Sequence, residues 1–427
     1  MLKLTLVLAV LANLGLGTAE PFFDILSNLM NKAINPRNND CRAPSTDKYT
    51  EACSEINEGY DYADLMKSYN DATTAISGVS IYQWQRTHEG VSQLSSVGAL
   101  MLVLSKLSQN AVDETRSQLY NLINLDNSKE VRYLIPKVAK EHSATSGDFI
   151  STLTTKVFSD KVFSKNFIKC TNEVIMGETG VLDYNNPSAA AEEINSWFGE
   201  QTRFDRADVV TAADVRNDSG LIFATCHNLE FEFDQFIFSE LVNISFYISE
   251  DNITTLPVWK GEGKAKYSFN DKLQAHVVQL PLKGDGTLVV IKPPIGRVPD
   301  LLYYLRDNRN FANLLAESQE TYLKLYQPLN DYVVRSHDSV LGLKLANQLT
   351  QIYFDDFDGF RGILENGSGY VTNMFHQMHM SIKGLGQNAI TSDCGENAKE
   401  LVIDSGFVFY VMGPSGGAPE LCGTHLS

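Results

Sequence analysis

Apolar positions recur at helical spacing over residues 111–123 and 189–202. β-branched and aromatic residues instead alternate or run together over 276–280, 287–291 and 407–411. The first pattern predicts amphipathic helices and the second predicts strands. Residues 98–104 are apolar on every side, which predicts a helix buried all round. Residues 20–59 are rich in Asn, Asp, Pro and Ser and carry little periodicity, so they read as an N-terminal extension to a core that starts near Tyr60. No internal repeat is evident. Helical and strand signals alternate irregularly, which argues for α+β organisation over a doubly wound parallel sheet.

Composition narrows the class. The chain has 427 residues, 43% hydrophobic and 20% charged, with 29 Gly, 13 Pro and a formal net charge of −17. This is the profile of an acidic globular protein and not of a disordered, collagenous or coiled-coil chain. The charge opposes binding to nucleic acid or to anionic membranes. Residues 1–19 combine Lys3, an apolar run from Leu4 to Leu16 and the small residues Gly17, Thr18 and Ala19, the pattern of a secretory signal peptide. No later stretch has the apolar length of a membrane span, so a secreted, extracellular product is expected. Sequons at Asn217, Asn243, Asn252 and Asn366 fit a glycoprotein of that compartment. Six cysteines are too few and too scattered for a disulfide scaffold. Cys41 and Cys53 stand close together in a polar segment and are the expected local bridge, and no CxxC occurs to hold zinc.

Three motifs that mimic active sites fail on inspection. Gly413-Pro414-Ser415-Gly416-Gly417 matches GxSxG, but a nucleophile elbow needs a following helix and a histidine base. Too little chain follows, and a hairpin turn accounts for the cluster. His376 and His379 have an HxxH spacing, yet on the strand their neighbours imply they face opposite sides, so no metal site is expected. Asp356-Phe357-Asp358-Gly359 lacks the bidentate Glu of a calcium loop and reads as a turn. Neither enzymatic activity nor a cofactor is expected.

Landmarks along the chain resemble a known family. Ser92-Gln93-Leu94-Ser95-Ser96-Val97-Gly98-Ala99-Leu100 resembles the segment that opens the buried helix of the serpins, the serine protease inhibitor fold. The stretch from Ala189 to Thr202, with Ile194-Asn195-Ser196-Trp197 at its centre, is similar to the family's "INsW" helix, and Leu273 to Gly284 resembles its "ELPYkG" strand. Asp356-Phe357-Asp358-Gly359-Phe360, residues 371–376 and Phe407-Val408-Phe409-Tyr410 continue the match in order. The resemblance implies a single serpin domain over 60–427 with three β-sheets, about nine helices and an exposed C-terminal reactive loop at 384–406. In inhibitory members a protease cuts that loop, which then enters the main sheet as a new strand while the acyl-enzyme is trapped.

The hinge departs from the inhibitory pattern. Lys383-Gly384-Leu385-Gly386-Gln387-Asn388-Ala389 stands where inhibitors resemble "EEGTEAAAA", and only Gly386 and Ala389 match. A strand turns alternate residues inward, so either register buries polar groups such as Gln387 or Asn388, and an unpaired buried amide costs about 1–3 kcal/mol. Gly384 and Gly386 add backbone entropy to be lost. The stretch 387–406 is also shorter than in inhibitory members. Gly220 stands where the family has a buried Asn and Asn228 where it has a Trp, and both losses are read as lying at the opening of the sheet. Ser92, Ser95 and His376 match the hydrogen-bonded shutter cluster beneath it. The basic and acidic residues after Asn110 are mixed, so heparin binding is not expected.

These features point to a secreted, monomeric, non-inhibitory serpin that acts by binding a protein or ligand. Its loop and leader resemble those of circulating arthropod members, in which extracellular immune or proteolytic cascades are regulated. The alternative is a suicide inhibitor of a trypsin-like serine protease, with Lys399, the one basic residue of the loop beyond the hinge, as bait.

Overall fold

A computed structural model describes residues 56–87, 90–141, 147–174, 177–201, 208–216, 220–329, 332–336, 359–366, 369–386, 398–414 and 418–426. All belong to one compact unit, Ala52–Ser427. Eight helices lie within the described residues: α1 (Tyr62–Thr87), α2 (Val97–Asn110), α3 (Asp113–Ile123), α4 (Ser128–Glu141), α5 (Lys165–Val174), α6 (Pro187–Gln201), α7 (Val298–Leu305) and α8 (Asn308–Ala316).

Fourteen strands accompany them. They are β1 (Gln93–Ser96), β2 (Phe149–Ser159), β3 (Glu178–Val181), β4 (Leu221–Glu232), β5 (Phe236–Tyr247), β6 (Ile253–Asn270), β7 (Ala275–Pro281), β8 (Thr287–Lys292), β9 (Gln319–Gln327), β10 (Tyr332–Ser336), β11 (Val371–Lys383), β12 (Lys399–Val402), β13 (Phe407–Met412) and β14 (Pro419–His425). The apolar stretch 98–104 lies inside α2, which is buried from Val97 through Ser108. Its start is fixed by Ser96, whose hydroxyl accepts from the Ala99 N–H at 3.1 Å, a standard N-cap.

The strands form two ladders. The main sheet, five-stranded, runs β10-β11-β4-β2-β3, and the second sheet, nine-stranded, runs β1-β14-β13-β8-β7-β6-β9-β12 with β5 added on β6. Among the described residues, the nine-stranded ladder takes in both of the smaller sheets that the resemblance implies, because β6 is shared. Its C-terminal end, Lys266 to Asn270, pairs with β7, while its middle pairs with β9 and its N-terminal half with β5. One long strand thus joins what would otherwise be two small sheets.

Alternation along β4 divides the core. Leu221 and Phe223 point into the main cluster over α2, Ile222, Ala224 and Cys226 point to the opposite face under α6, and Leu229 and Phe231 join a cluster against the second sheet. Period-two patterning therefore covers both faces of β4 from Leu221 to His227, while beyond it Asn228, Glu230 and Glu232 are half-buried on the outer face.

Candidate functional site

The site of interest is the seam between β4 and β11. These strands pair in parallel over their whole length, from Leu221 opposite Val371 to Glu232 opposite Lys383. No strand lies between them, and a loop entering this sheet here would have to part that ladder. Beneath the middle of the seam, the buried His376 on β11 shares a short hydrogen bond through Nδ1 with the Thr225 hydroxyl on β4. Burial pulls the His376 pKa down to about 4, and Nε2 has no partner.

Residues expected to cluster below the seam divide between separate partners. The Ser92 hydroxyl accepts from the Leu426 N–H at 2.9 Å, Ser95 sits in β1 opposite Cys422, and His376 bonds to Thr225 and to neither serine. A different histidine holds the centre. His227 of β4 bonds through Nδ1 to Ser96 at 2.7 Å and through Nε2 to Ser151 of β2 at 2.9 Å, tying the cap of α2 to two strands of the main sheet. Sequence reading missed His227. The alternation of buried residues along β4, which turns position 227 inward, was the signal that could have found it.

The departures at Gly220, just before β4, and at Asn228, within it, do not lie together. Gly220 is at the start of the ladder, where an added Cβ would collide with the Tyr370 carbonyl oxygen, while Asn228 is far along it opposite His379. The expectation that both mark the opening is corrected, since eight residues of strand separate them by roughly 26 Å. Gly220 is small because the chain crosses Tyr370 there, with the Leu221 N–H donating to Tyr370 O at 2.7 Å. Asn228 donates to the Gln201 carbonyl at the end of α6 at 3.0 Å.

At the far end of the seam the hinge is held. Lys383 ion-pairs with Glu230, and Lys283 reaches Glu232 at 2.7 Å. Gly384 and Gly386 both take positive φ, +78° and +70°, the left-handed region glycine enters without strain. Between them Leu385 packs against the second core cluster. The Gly386 N–H then donates to Phe238 O of β5 at 2.8 Å, with the Trp259 ring against its Cα. A groove of about 420 Å³ opens beside this turn, bordered by Phe236, Phe238, Lys264, Tyr322 and Leu385. Gln387, Asn388, Ala389 and Cys394 lie outside the described residues.

Part of the expected exposed loop is regular strand. Lys399 opens β12, which pairs in parallel with β9 from Lys399 opposite Leu323 to Val402 opposite Tyr326. The Lys399 ammonium lies 4.0 Å from the Tyr267 ring centroid, a cation–π contact. Leu401 and Ile403 are buried. Of the sequons, Asn243, Asn252 and Asn366 are exposed and Asn217 lies outside the described residues. Cys226 and Cys422 are free and buried. Cys170 is disulfide-bonded, its partner outside the described residues along with Cys41 and Cys53. Among the described residues no group of acidic, His and Cys side chains is placed to hold a metal. No helix of the described residues is long and apolar enough to cross a membrane.

Comparison with known proteins gives this arrangement a family. Antitrypsin of Bombyx mori is 20% identical over 66% of this chain and 72% of its own, and Alaserpin of Manduca sexta is 20% identical over 62% and 69%. Among solved structures, uncleaved ovalbumin superposes with a TM-score of 0.75 at 15% identity, covering 84% of this chain and all of its own. Thyroxine-binding globulin in complex with thyroxine superposes at 0.71 and 14% identity, covering 84% of this chain and 98% of its own. The family model described as Serpin (serine protease inhibitor) matches residues 81–427, the stretch that holds the seam, the hinge and β12, and the chain belongs to the serpin family.

Proposed function

We propose that this chain is a secreted, monomeric serpin glycoprotein that neither catalyses a reaction nor inhibits proteases by loop insertion, and that it acts by binding a protein or small ligand in an extracellular immune or proteolytic cascade. The observation that carries the reading is the hinge. Leu385, half-buried, packs against the second core cluster and Gly386 is bonded to Phe238, so the first residues that would enter the seam are already engaged elsewhere. Parting β4 from β11 would also sacrifice their full parallel ladder, and the entering strand would bring Gln387 or Asn388 inward. Binding as the function fits a fold that thyroxine-binding globulin uses with thyroxine.

Heparin-type activation is not part of the proposal. Of the four bases on α4, Arg132 is buried and the Lys137 ammonium is turned back onto Tyr133, donating to its carbonyl at 2.8 Å and lying 3.8 Å from its ring centroid. This leaves Lys129 and Lys140 exposed, each next in sequence to a glutamate.

The competing reading, a suicide inhibitor of a trypsin-like protease baited by Lys399, draws support from the name antitrypsin carried by a relative. Lys399 would have to leave both β9 and the Tyr267 ring to enter a protease cleft.

Incubation of the purified protein with trypsin separates the two readings. Clean cleavage without an SDS-stable complex, and with little change in melting temperature, is the expected result. A covalent complex, or a large rise in melting temperature on cleavage, would overturn the non-inhibitory reading.

A further inference from the structure

Cys170 on α5 is buried in the main core cluster, among residues that include Leu134 and Ile135 of α4 and Phe167 of its own helix. It is disulfide-bonded, whereas Cys226 and Cys422 are free thiols. Within one chain its partner is therefore Cys41, Cys53 or Cys394, and the elements to which each is tethered discriminate among them.

The chain enters the domain beside α4. The Ile56 N–H donates to the Arg132 carbonyl of that helix at 3.3 Å, and the Tyr60 ring packs on Tyr133 with centroids 5.4 Å apart. α4 in turn packs against α5. Cys53 stands three residues before Ile56, a tether of about 10 Å. Cys41 stands fifteen residues before it. Closing the longer tether onto the same target is about tenfold less favourable, by the three-halves power of its length.

Cys394 is tethered at the hinge end instead. It stands five residues before Lys399 of β12, a reach of about 17 Å, and it follows the hinge glycine that bonds to Phe238. β2 begins at that same end, with Phe149 opposite Phe231, and its last residue paired with β4 is Phe158, opposite Ile222. Those nine residues of strand carry the chain about 30 Å away before α5 begins. After α5 the chain has come back only as far as Thr155 of β2, against which Gly177 is packed.

We propose that Cys53 and Cys170 form a disulfide that clamps the entry of the domain onto α5, in place of the local Cys41–Cys53 bridge expected from sequence. The proposal rests on the secreted reading, because such a bond forms in an oxidising compartment. Two thiols release two protons and two electrons as the S–S bond forms, and a protein disulfide of the secretory pathway accepts them and becomes a dithiol. The bond closes a loop from 53 to 170 that holds α1 to α4 and β2 entire, so it restricts the unfolded chain strongly.

The experiment is disulfide mapping of the full-length chain, leader included, expressed in a secretory eukaryotic host and recovered from the medium. Free thiols are alkylated in denaturant without reduction, the protein is digested, and peptide masses are compared before and after reduction. One linked pair holding Cys53 and Cys170 is expected, with Cys226 and Cys422 alkylated. Cys53→Ser should lower the melting temperature by about 5–10 °C, and Cys41→Ser should leave both the pair and the melting temperature unchanged. Should Cys53→Ser not fold, the map of the unaltered protein still decides. Cys170 linked to Cys41 or Cys394, or a Cys41–Cys53 pair, overturns the proposal. Absence of the chain from the medium would instead count against the secreted reading. The retained protein is then mapped in the same way, and recovery of Cys53 and Cys170 as free thiols would overturn the bridge separately.

Discussion

The Lys106 ammonium, buried under the main sheet on α2, is packed against Gly177, where a methyl group would stand 2.5 Å from Nζ and 2.7 Å from the Thr155 hydroxyl. Glycine at 177 is what makes room for the amine. Neither Lys106 Nζ nor Thr155 Oγ1 has a hydrogen-bond partner. Burial pulls the Lys106 pKa down to about 7, opposed in part by the negative field of Glu178.

This buried amine predicts a pH dependence with a definite sign. The unfolded chain holds the Lys106 proton up to about pH 10, as a free lysine does. The folded chain releases it near pH 7. Between these values the unfolded state binds more protons, so stability from this group rises with pH from about 7 to about 10. Below pH 7 the penalty of a buried unpaired charge is fully present. Lys106→Met should therefore stabilise the protein at pH 6.5 by an amount on the order of a few kcal/mol and by much less at pH 10. Urea midpoints of both proteins at the two pH values check it, and an equal gain at both would refute the buried-charge account. Gly177→Ala should destabilise by displacing the amine.

The hinge offers a second test. Gly386 has φ +70°, and an added Cβ would meet the Trp259 ring at 3.0 Å. Gly386→Ala is expected to cost roughly 1–2 kcal/mol in backbone strain alone and to shift the emission of Trp259 as the ring gives way. Gly296 serves as the control, because it has φ +74° with nothing within 4 Å of an added Cβ. Gly296→Ala should therefore show the strain without the spectral change. Identical spectra for the two variants would mean that Trp259 does not rest on the hinge.

Much of this fold was legible because its signals are local. The apolar run at 98–104 could only be a helix covered on every side, and α2 is that helix. The strand patterns at 276–280, 287–291 and 407–411 fall inside β7, β8 and β13, where alternation and β-branching are strong. β13 and β14 pair antiparallel, and beyond them the Gly413 N–H donates to Ala418 O at 3.1 Å, while Ser415, Gly416 and Gly417 lie outside the described residues. Long-range pairing was harder to read. The linear order of residues does not show that β6 joins β5, β7 and β9 into one sheet, that Thr225 meets His376 or that His227 reaches both Ser96 and Ser151, because each depends on which strands become neighbours. Lys399 looked like loop bait for the same reason: its partner strand β9 lies far back in the chain.

The link between Thr225 and His376 predicts how the seam responds to acid. Burial holds the folded His376 pKa near 4, below the value of about 6.5 for a free histidine. Between those values the unfolded chain binds the proton and the folded chain does not, so stability is complete above about pH 6.5 and is lost as pH falls toward 4. In the protonated ring both nitrogens carry hydrogen, so Nε2–H is left without an acceptor and Nδ1–H can only donate to the Thr225 hydroxyl, at the centre of the β4–β11 ladder. His425 has its pKa lowered to about 4 by burial in the second sheet and contributes over the same window. His376→Gln should accordingly remove part of the stability change between pH 6.5 and 4, leaving the His425 share. Amide exchange in residues 221–232 and 371–383 should accelerate in acid for the wild type and less so for the variant. If the variant loses as much stability as the wild type across that window, His376 is not the group that senses acid at the seam.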